Sequence, residues 1–455
     1  MNALILSAVS GVVMMFSGFA LGRSAVRTLA QVLLFLIVVA TFFELRGVSF
    51  FQIDLKGMLS FDNFALLFTL IAALCTWVFS LLSAKDMEKV GTHYADYFAL
   101  IFFILAGIII SASFQSLLLL FLGIEIISIP LYILAGTEKH NLRSNEASLK
   151  YFLMGSFSTG LMLMGIALIY GAAGTFSTVA MNIATNDVPV LFITGLLLLL
   201  FSLSFKVSAA PFHFWTPDVY DGSPMVFTSF MATVVKAAGF IAFMRLFSDA
   251  FGNIGAQWKL IVAIIVAATL FIGNITAVFQ QSVKRMLAYS SIAQAGFMML
   301  AVYTLTADAK EGLLLYGAAY SLATIGIFAV LAKMQDYTFD GFNGFAKQQP
   351  LIAATLVIFL LSLAGIPLTA GFLSKFYMLK ATVAVGNVWL AVFAVLMAAV
   401  SVYYYFRLIQ AMYFKEGNAT IGNVSSGFKI TLVAVAAVTI LLGVYPNLLL
   451  YWLYF

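Results

Sequence analysis

The sequence predicts an all-α polytopic membrane protein of about 14 transmembrane helices, organised as two inverted five-helix repeats in which helices 7 and 12 are broken. Of 455 residues, 63% are hydrophobic and only 9% charged, a balance that no soluble domain shows. Apolar runs of about 20 residues, enough to cross a hydrocarbon core of ~30 Å, recur from one end of the chain to the other. The net charge of +5 is modest and spread over short loops, which suits membrane orientation and not nucleic-acid binding. Cys75 is the only cysteine, which excludes an internal disulfide, an iron–sulfur cluster or a Cys-rich zinc site. His93, His140 and His213 are far apart, and no glycine-rich phosphate loop is present, so neither a metal nor a nucleotide has an evident site.

Polar residues and Gly/Pro punctuation place the spans near residues 12, 36, 72, 103, 126, 158, 198, 236, 269, 294, 321, 360, 400 and 441. The opening "MNALILSAVSGVVMMFSGFALGR" has no basic leader and too long an apolar stretch for a signal sequence, so it reads as a retained first span. Two segments, roughly 188–221 and 350–385, are too long for one straight span and too short for two. Each carries a breaker, "AAP" ending at Pro211 and "AGIP" ending at Pro367, and each is therefore one span interrupted at depth.

Basic residues test that count. Loops after odd-numbered spans hold thirteen lysines and arginines, whereas the even ones hold five: Arg46, Lys56, Arg245, Lys259 and Lys310. Odd loops are therefore expected to face the cytoplasm and both termini the outside. The interrupted spans are five apart, which gives repeats of spans 4–8 and 9–13; an odd repeat length inverts topology. One membrane domain, 1–455, then divides into three leading spans (1–94), a first repeat (95–250), a second repeat (256–416) and a last span (428–455).

Four ionisable residues lie inside apolar runs: Glu125 in "LLLLFLGIEIISIPLYIL", Lys206 in "LLLLLFSLSFKVSAAPF", Lys236 in "FMATVVKAAGFIAF" and Lys375 in "LTAGFLSKFYMLKA". Each costs ~2.5–3.5 kcal/mol at a helix centre. Burial draws a lysine toward its neutral form and a nearby carboxylate restores the charge, so a carboxylate moving by a few ångströms could load or unload a proton. The plainer reading is that the lysines snorkel or satisfy carbonyls freed at the breaks, with Glu125 a static counter-ion. His213, just past Pro211, is a candidate to take protons on from Lys206, and Lys150 in "NEASLKYFLMGSF" a candidate uptake group or an interfacial anchor. Lys284 and Arg285 read as positive-inside residues, and Asp218 and Asp221 as loop or cap residues.

The stretches "NEASLKYFLMGSF", "SFKVSAAPFHFWTPDVYDGSPMVFTSFMATVVKAAGF", "VKRMLAYSSIAQAGF" and "LSLAGIPLTAGFLSKFYML" resemble, in that order, the N-type antiporter-like subunits of bacterial NADH:quinone oxidoreductase, respiratory complex I. The resemblance spans roughly helices 4 to 13. It implies that Glu125, Lys206, Lys236 and Lys375 are the proton-carrying charges of helices 5, 7, 8 and 12, with Lys150 and His213 auxiliary. Lysine at position 375 favours the N type over subunit M, and too few residues follow span 14 for the lateral helix of subunit L. Gln294 stands where some relatives carry histidine. The resemblance further implies a subunit of a proton-translocating enzyme complex in the bacterial cytoplasmic membrane, with subunit M, the small K, J and A subunits and lipids as neighbours. By the same resemblance the chain is expected to bind no cofactor, with NADH, FMN, iron–sulfur clusters and quinone expected on other subunits. Two other classes stay open, a cation/proton antiporter component of the multisubunit type and a scaffold that does not pump.

Overall fold

The computed structural model describes residues 1–51, 53–181 and 188–454; part of the loop between spans 6 and 7, and Phe455 of the last segment, lie outside the described residues. With no water at membrane depth, backbone groups are satisfied within helices, and among the described residues the chain has helices and isolated bridges but no strands. Spans 1 to 6 are Asn2–Ala20, Arg23–Leu45, Asn63–Val90, Tyr94–Ser113, Leu117–Ala135 and Leu142–Ala173. Span 8 is Met225–Asp249, and spans 9 to 11 are Gly255–Val278, Val283–Thr304 and Ala307–Leu331. Spans 13 and 14 are Val388–Phe414 and Ser426–Val444.

The expected interruptions are present. Span 7 runs Val190–Lys206, breaks, and resumes as Trp215–Gly222; span 12 runs Pro350–Ala364, breaks, and resumes as Ala370–Ala384. At the first break Ser208 takes a left-handed φ of 64°, and the Ala210 N–H leaves the helix ladder to donate to Thr269 Oγ1 of span 9 at 2.8 Å. At the second, Gly365 (φ 85°) ends the helix. The two halves of span 12 then close so tightly that a Cβ on Gly371 would lie 1.9 Å from the Ser362 carbonyl oxygen, so no side chain fits there.

Burial locates the functional axis. In their most apolar windows, spans 8, 10 and 11 are 89%, 94% and 100% buried, against 33% for spans 6 and 13. The centre is thus built from spans that carry polar residues, and the more exposed spans insulate it. The two halves also pack alike: span 4 lies on 5 and 6 on 7, as span 9 lies on 10 and 11 on 12.

Ion pairs check the span count independently. Arg27 pairs with Glu88, Lys333 with Asp86, Lys150 with Asp218 and Lys347 with Glu416, all at the end carrying the odd-numbered loops. Arg245 pairs with Asp62 and Lys380 with Asp308 at the opposite end. Counting either broken segment as two spans would put such partners on opposite sides of the membrane.

Two expectations need correction. Arg245 is not a loop residue; it is buried within span 8, where the end of span 4 supplies its acceptors. Lys310 lies in the first turn of span 11, half-buried over the Phe64 ring at 5.9 Å, so exposed Ala307 marks that end better. In a Cys75→Ser background, Lys139→Cys should react with an impermeant thiol reagent from the cytoplasm and Ala307→Cys only from outside. Labelling of both from one face would overturn the parity of the spans between them.

Candidate functional site

Glu125 sits mid-way along span 5 and Lys206 is the last residue before the break in span 7. Lys206 Nζ lies 3.8 Å from Glu125 Oε1. Thr159 of span 6 stands between them: its hydroxyl donates to Glu125 Oε1 at 2.7 Å and its oxygen lies 3.3 Å from Lys206 Nζ. Lys206 also donates to Ser128 Oγ at 3.0 Å and Tyr132 OH at 3.4 Å. At this separation and an effective dielectric of about 20 the charges attract by about 4 kcal/mol. Taking each ion out of water costs several kcal/mol, a similar amount. The pair therefore balances two opposing terms of similar size.

A cavity of about 40 Å³ separates Lys206 from span 8. It is lined by Ser111, Ser128 and Lys206 on one side and by Val235, Ala238, Gly239 and Ala242, the neighbours of Lys236, on the other. That volume holds about one water, and the buried Ser111 hydroxyl, which has no protein partner, gives it a polar wall. A π-helical turn, Met231–Val235, immediately precedes Lys236. Such turns widen the helix and redirect the following side chain.

Beyond the cavity the polar line continues through span 10. Lys236 Nζ donates to Ser291 Oγ at 2.5 Å and to the Ser291 carbonyl at 3.1 Å. Next to it, Ser290 Oγ meets Tyr405 OH of span 13 at 2.5 Å, and Gln294 Nε2 donates to Tyr405 OH at 3.0 Å. Tyr316 of span 11 donates to Gln294 Oε1. Gln294 Nε2 also donates to the Leu363 carbonyl at 2.9 Å, and Lys375 Nζ reaches that same oxygen at 2.7 Å. Lys375 takes the Ala364 carbonyl at 3.2 Å as well and lies 4.6 Å above the Phe297 ring. Among the described residues neither Lys236 nor Lys375 has a carboxylate partner.

The auxiliary candidates stand off this line. His213 is buried at the break with its ring stacked on Phe214 at 4.7 Å, and among the described residues no hydrogen bond joins it to Lys206. Lys150 is at the odd-loop end, paired with Glu146 and Asp218, each at 2.8 Å, in a hollow of about 180 Å³ that also includes Arg143, Asp221 and Arg285. Asp218 and Asp221 are not loop residues: they lie in the second half of span 7, where Arg285 pairs with both at 3.4 and 4.0 Å. Lys284 is buried and donates to the carbonyls of Asp221 (2.7 Å) and Ser223 (2.8 Å), capping that half-helix.

Sequence reasoning missed Ser128, Tyr132, Thr159, Ser291, Tyr316 and Tyr405. One signal was available: Glu125, Ser128 and Tyr132 have i, i+3, i+7 spacing and so share one helix face. The others lie on helices distant in sequence and carry no such mark.

Residues 114–401 match the family described as NADH:quinone oxidoreductase/Mrp antiporter, TM. The chain is 39% identical to NADH-quinone oxidoreductase subunit N of Cytophaga hutchinsonii over 99% of each chain. It is 40% identical to the subunit N of Trichlorobacter lovleyi over 86% of this chain and 82% of that one. A chain of respiratory complex I from Thermus thermophilus with bound aureothin superposes with a TM-score of 0.86 at 32% identity, covering 99% of this chain and 98% of that chain.

Gln294 holds the line together between spans 10, 11, 12 and 13. Gln294→Leu strands the Tyr316 hydroxyl in a dry interior, at a cost of about 1–3 kcal/mol for each unsatisfied group. Its apparent unfolding temperature in detergent should therefore fall, and Gln294→His, which still donates and accepts, should recover most of the loss. A Gln294→Leu protein as heat-resistant as the parent would remove Gln294 from this role.

Proposed function

Because the chain belongs to the NADH:quinone oxidoreductase/Mrp antiporter transmembrane family, we propose that it works as the N-type, proton-translocating membrane-arm subunit of a bacterial NADH:quinone oxidoreductase and carries protons along Glu125, Lys206, Lys236 and Lys375. One observation supports this path above all: four charges from four spans fall in one row, Glu125–Thr159–Lys206 bonded at one end, Gln294, the Leu363 carbonyl and Lys375 bonded at the other, and Lys236 on Ser291 between them, with a cavity on the Lys206 side and the adjacent Ser290 on the other. A scaffold needs charges that stay paired. Here three lysines share one acid.

In this reading the Glu125–Lys206 pair is the switch. With Glu125 close, Lys206 stays charged; when the carboxylate moves away, burial favours the neutral amine and the proton passes toward Lys236. The break beside Lys206 lets the end of its half-helix shift without unwinding the membrane span. Lys236 and Lys375 are held by neutral acceptors and receive or release a proton without breaking an ion pair. Lys150 and His213 serve as flanking groups, Lys150 at the cytoplasmic mouth and His213 on the break.

The redox chemistry, with NADH, FMN, iron–sulfur clusters and quinone, is placed on other subunits, with subunit M and the small K, J and A subunits as membrane neighbours. The chain lies in the cytoplasmic membrane with its odd-numbered loops inside, and the repeats are 95–250 and 256–416.

Arginine keeps the positive charge of Lys206 but, with a pKa above about 12, cannot release its proton in turnover. An assembled Lys206→Arg complex should therefore show parental NADH activity with an artificial acceptor and several-fold weaker proton pumping; full pumping would remove Lys206 from the relay. Glu125→Gln and Lys206→Ala should each lower pumping, and the double variant should lose far less than the sum of the two logarithmic losses. Strict additivity would sink the pairing. Pumping that depends on added sodium or potassium would point to cation/proton exchange instead.

A further inference from the structure

Arg245 is 5% exposed, yet it lies in span 8 only four residues from that span's end. Its Nε donates to the Phe114 carbonyl at 2.9 Å and its Nη1 to the Ala112 carbonyl at 3.1 Å, both at the end of span 4. Asp62 lies 3.0 Å from Nη1 and Asp249 lies 3.8 Å from Nε. The terminal carbonyls of a helix carry its negative dipole end, so the guanidinium is held by span 4 itself as well as by the two partly exposed acids.

The position matters because of what lies one turn deeper. Ala242, three residues before Arg245 and on the same helix face, lines the cavity at Lys206, and so does Ser111, the neighbour of Ala112. Arg245 thus crosses the seam between spans 4 and 8 immediately outward of that cavity. Without it, the seam would offer a hydrated proton a short way from the Lys206 cavity to the outer surface. A guanidinium keeps its charge at any physiological pH and occupies the seam with a planar, four-way bound group.

Taking Lys206 as the proton carrier, we propose that Arg245 is a fixed, non-titrating seal that closes the outer end of the Lys206 cavity and so directs its proton sideways to Lys236. The guanidinium cannot give up its proton, its pairing leaves neither Asp62 nor Asp249 free to carry one, and the two carbonyl bonds keep it in place while Glu125 and Lys206 change partners.

The test measures passive proton flow through the intact, resting complex in proteoliposomes under an imposed pH gradient, with pumping per NADH as a second readout. Removing the guanidinium is expected to change passage by roughly tenfold, the effect of about 1.4 kcal/mol on a barrier. Arg245→Gln should therefore leak about tenfold faster and pump fewer protons per NADH, whereas Arg245→Lys, which keeps the charge, should stay tight. An assembled Arg245→Gln complex as tight as the parent, or equal leaks from both variants, overturns the seal. Should Arg245→Gln fail to assemble because it strands the two acids, the Arg245→Gln/Asp62→Asn/Asp249→Asn triple variant, which strands neither, decides: a leak about tenfold above the parent supports the seal and tightness overturns it. The resting leak needs no turnover, so this outcome is separate from that of Lys206→Arg, which tests the carrier itself.

Discussion

At membrane depth every polar group must find its partner inside the protein, and in this chain that constraint ties the helix breaks to the buried lysines. The break at residues 365–369 frees the carbonyls of Leu363 and Ala364, and Lys375, from the second half of the same span, takes both. The break after Lys206 frees the Ala210 N–H, which Thr269 accepts, and the Phe205 carbonyl, which the Trp215 indole N–H reaches at 3.0 Å. Each break is stable because a polar side chain replaces the missing helix bonds. Each lysine is tolerated because the break or a hydroxyl gives it acceptors.

From this follows an asymmetry along the line. Lys206 alone of the three lysines faces a carboxylate, while Lys236 and Lys375 rest on a hydroxyl, carbonyls and the faces of Tyr220 and Phe297. An ion pair in a dry interior balances two large opposing terms, so its state changes with small movements. A lysine on neutral acceptors changes its charge without such a partner having to move. The proposed relay thus has an ion pair near one end and two lysines on neutral acceptors beyond it.

The rest of the molecule surrounds that line and pins its ends. The most deeply buried spans, 8, 10 and 11, carry Lys236, Ser290, Ser291, Gln294 and Tyr316, and the spans around them supply the remaining polar residues of the line from their inward faces. At the odd-loop end, Lys284 and Arg285 hold the second half of span 7 by its carbonyls and acids, while Asp86 and Lys333 join span 3 to the end of span 11. At the other end Arg245 joins span 8 to span 4.

Much of this was legible in the chain. Glu125, Lys206, Lys236 and Lys375 are anomalies in long apolar runs, and Pro211 and Pro367 interrupt segments whose length fits no whole number of spans. Thr159 and Ser291 were not legible, because a hydroxyl in a helix commonly bonds its own preceding turn, as Ser128 does with the Ile124 carbonyl, and so leaves no trace in composition or period; Tyr405 was not, because its partners Ser290 and Gln294 lie more than 100 residues away in the chain. Nor could position along the chain separate Arg245, which is buried, from Lys150, which is half-exposed, since both lie near span ends. The sequence by itself determined how deep each charge lies, because depth follows from counting residues along an apolar run. Only the tertiary structure decided what each charge meets, because that depends on which faces of helices far apart in the chain turn toward one another.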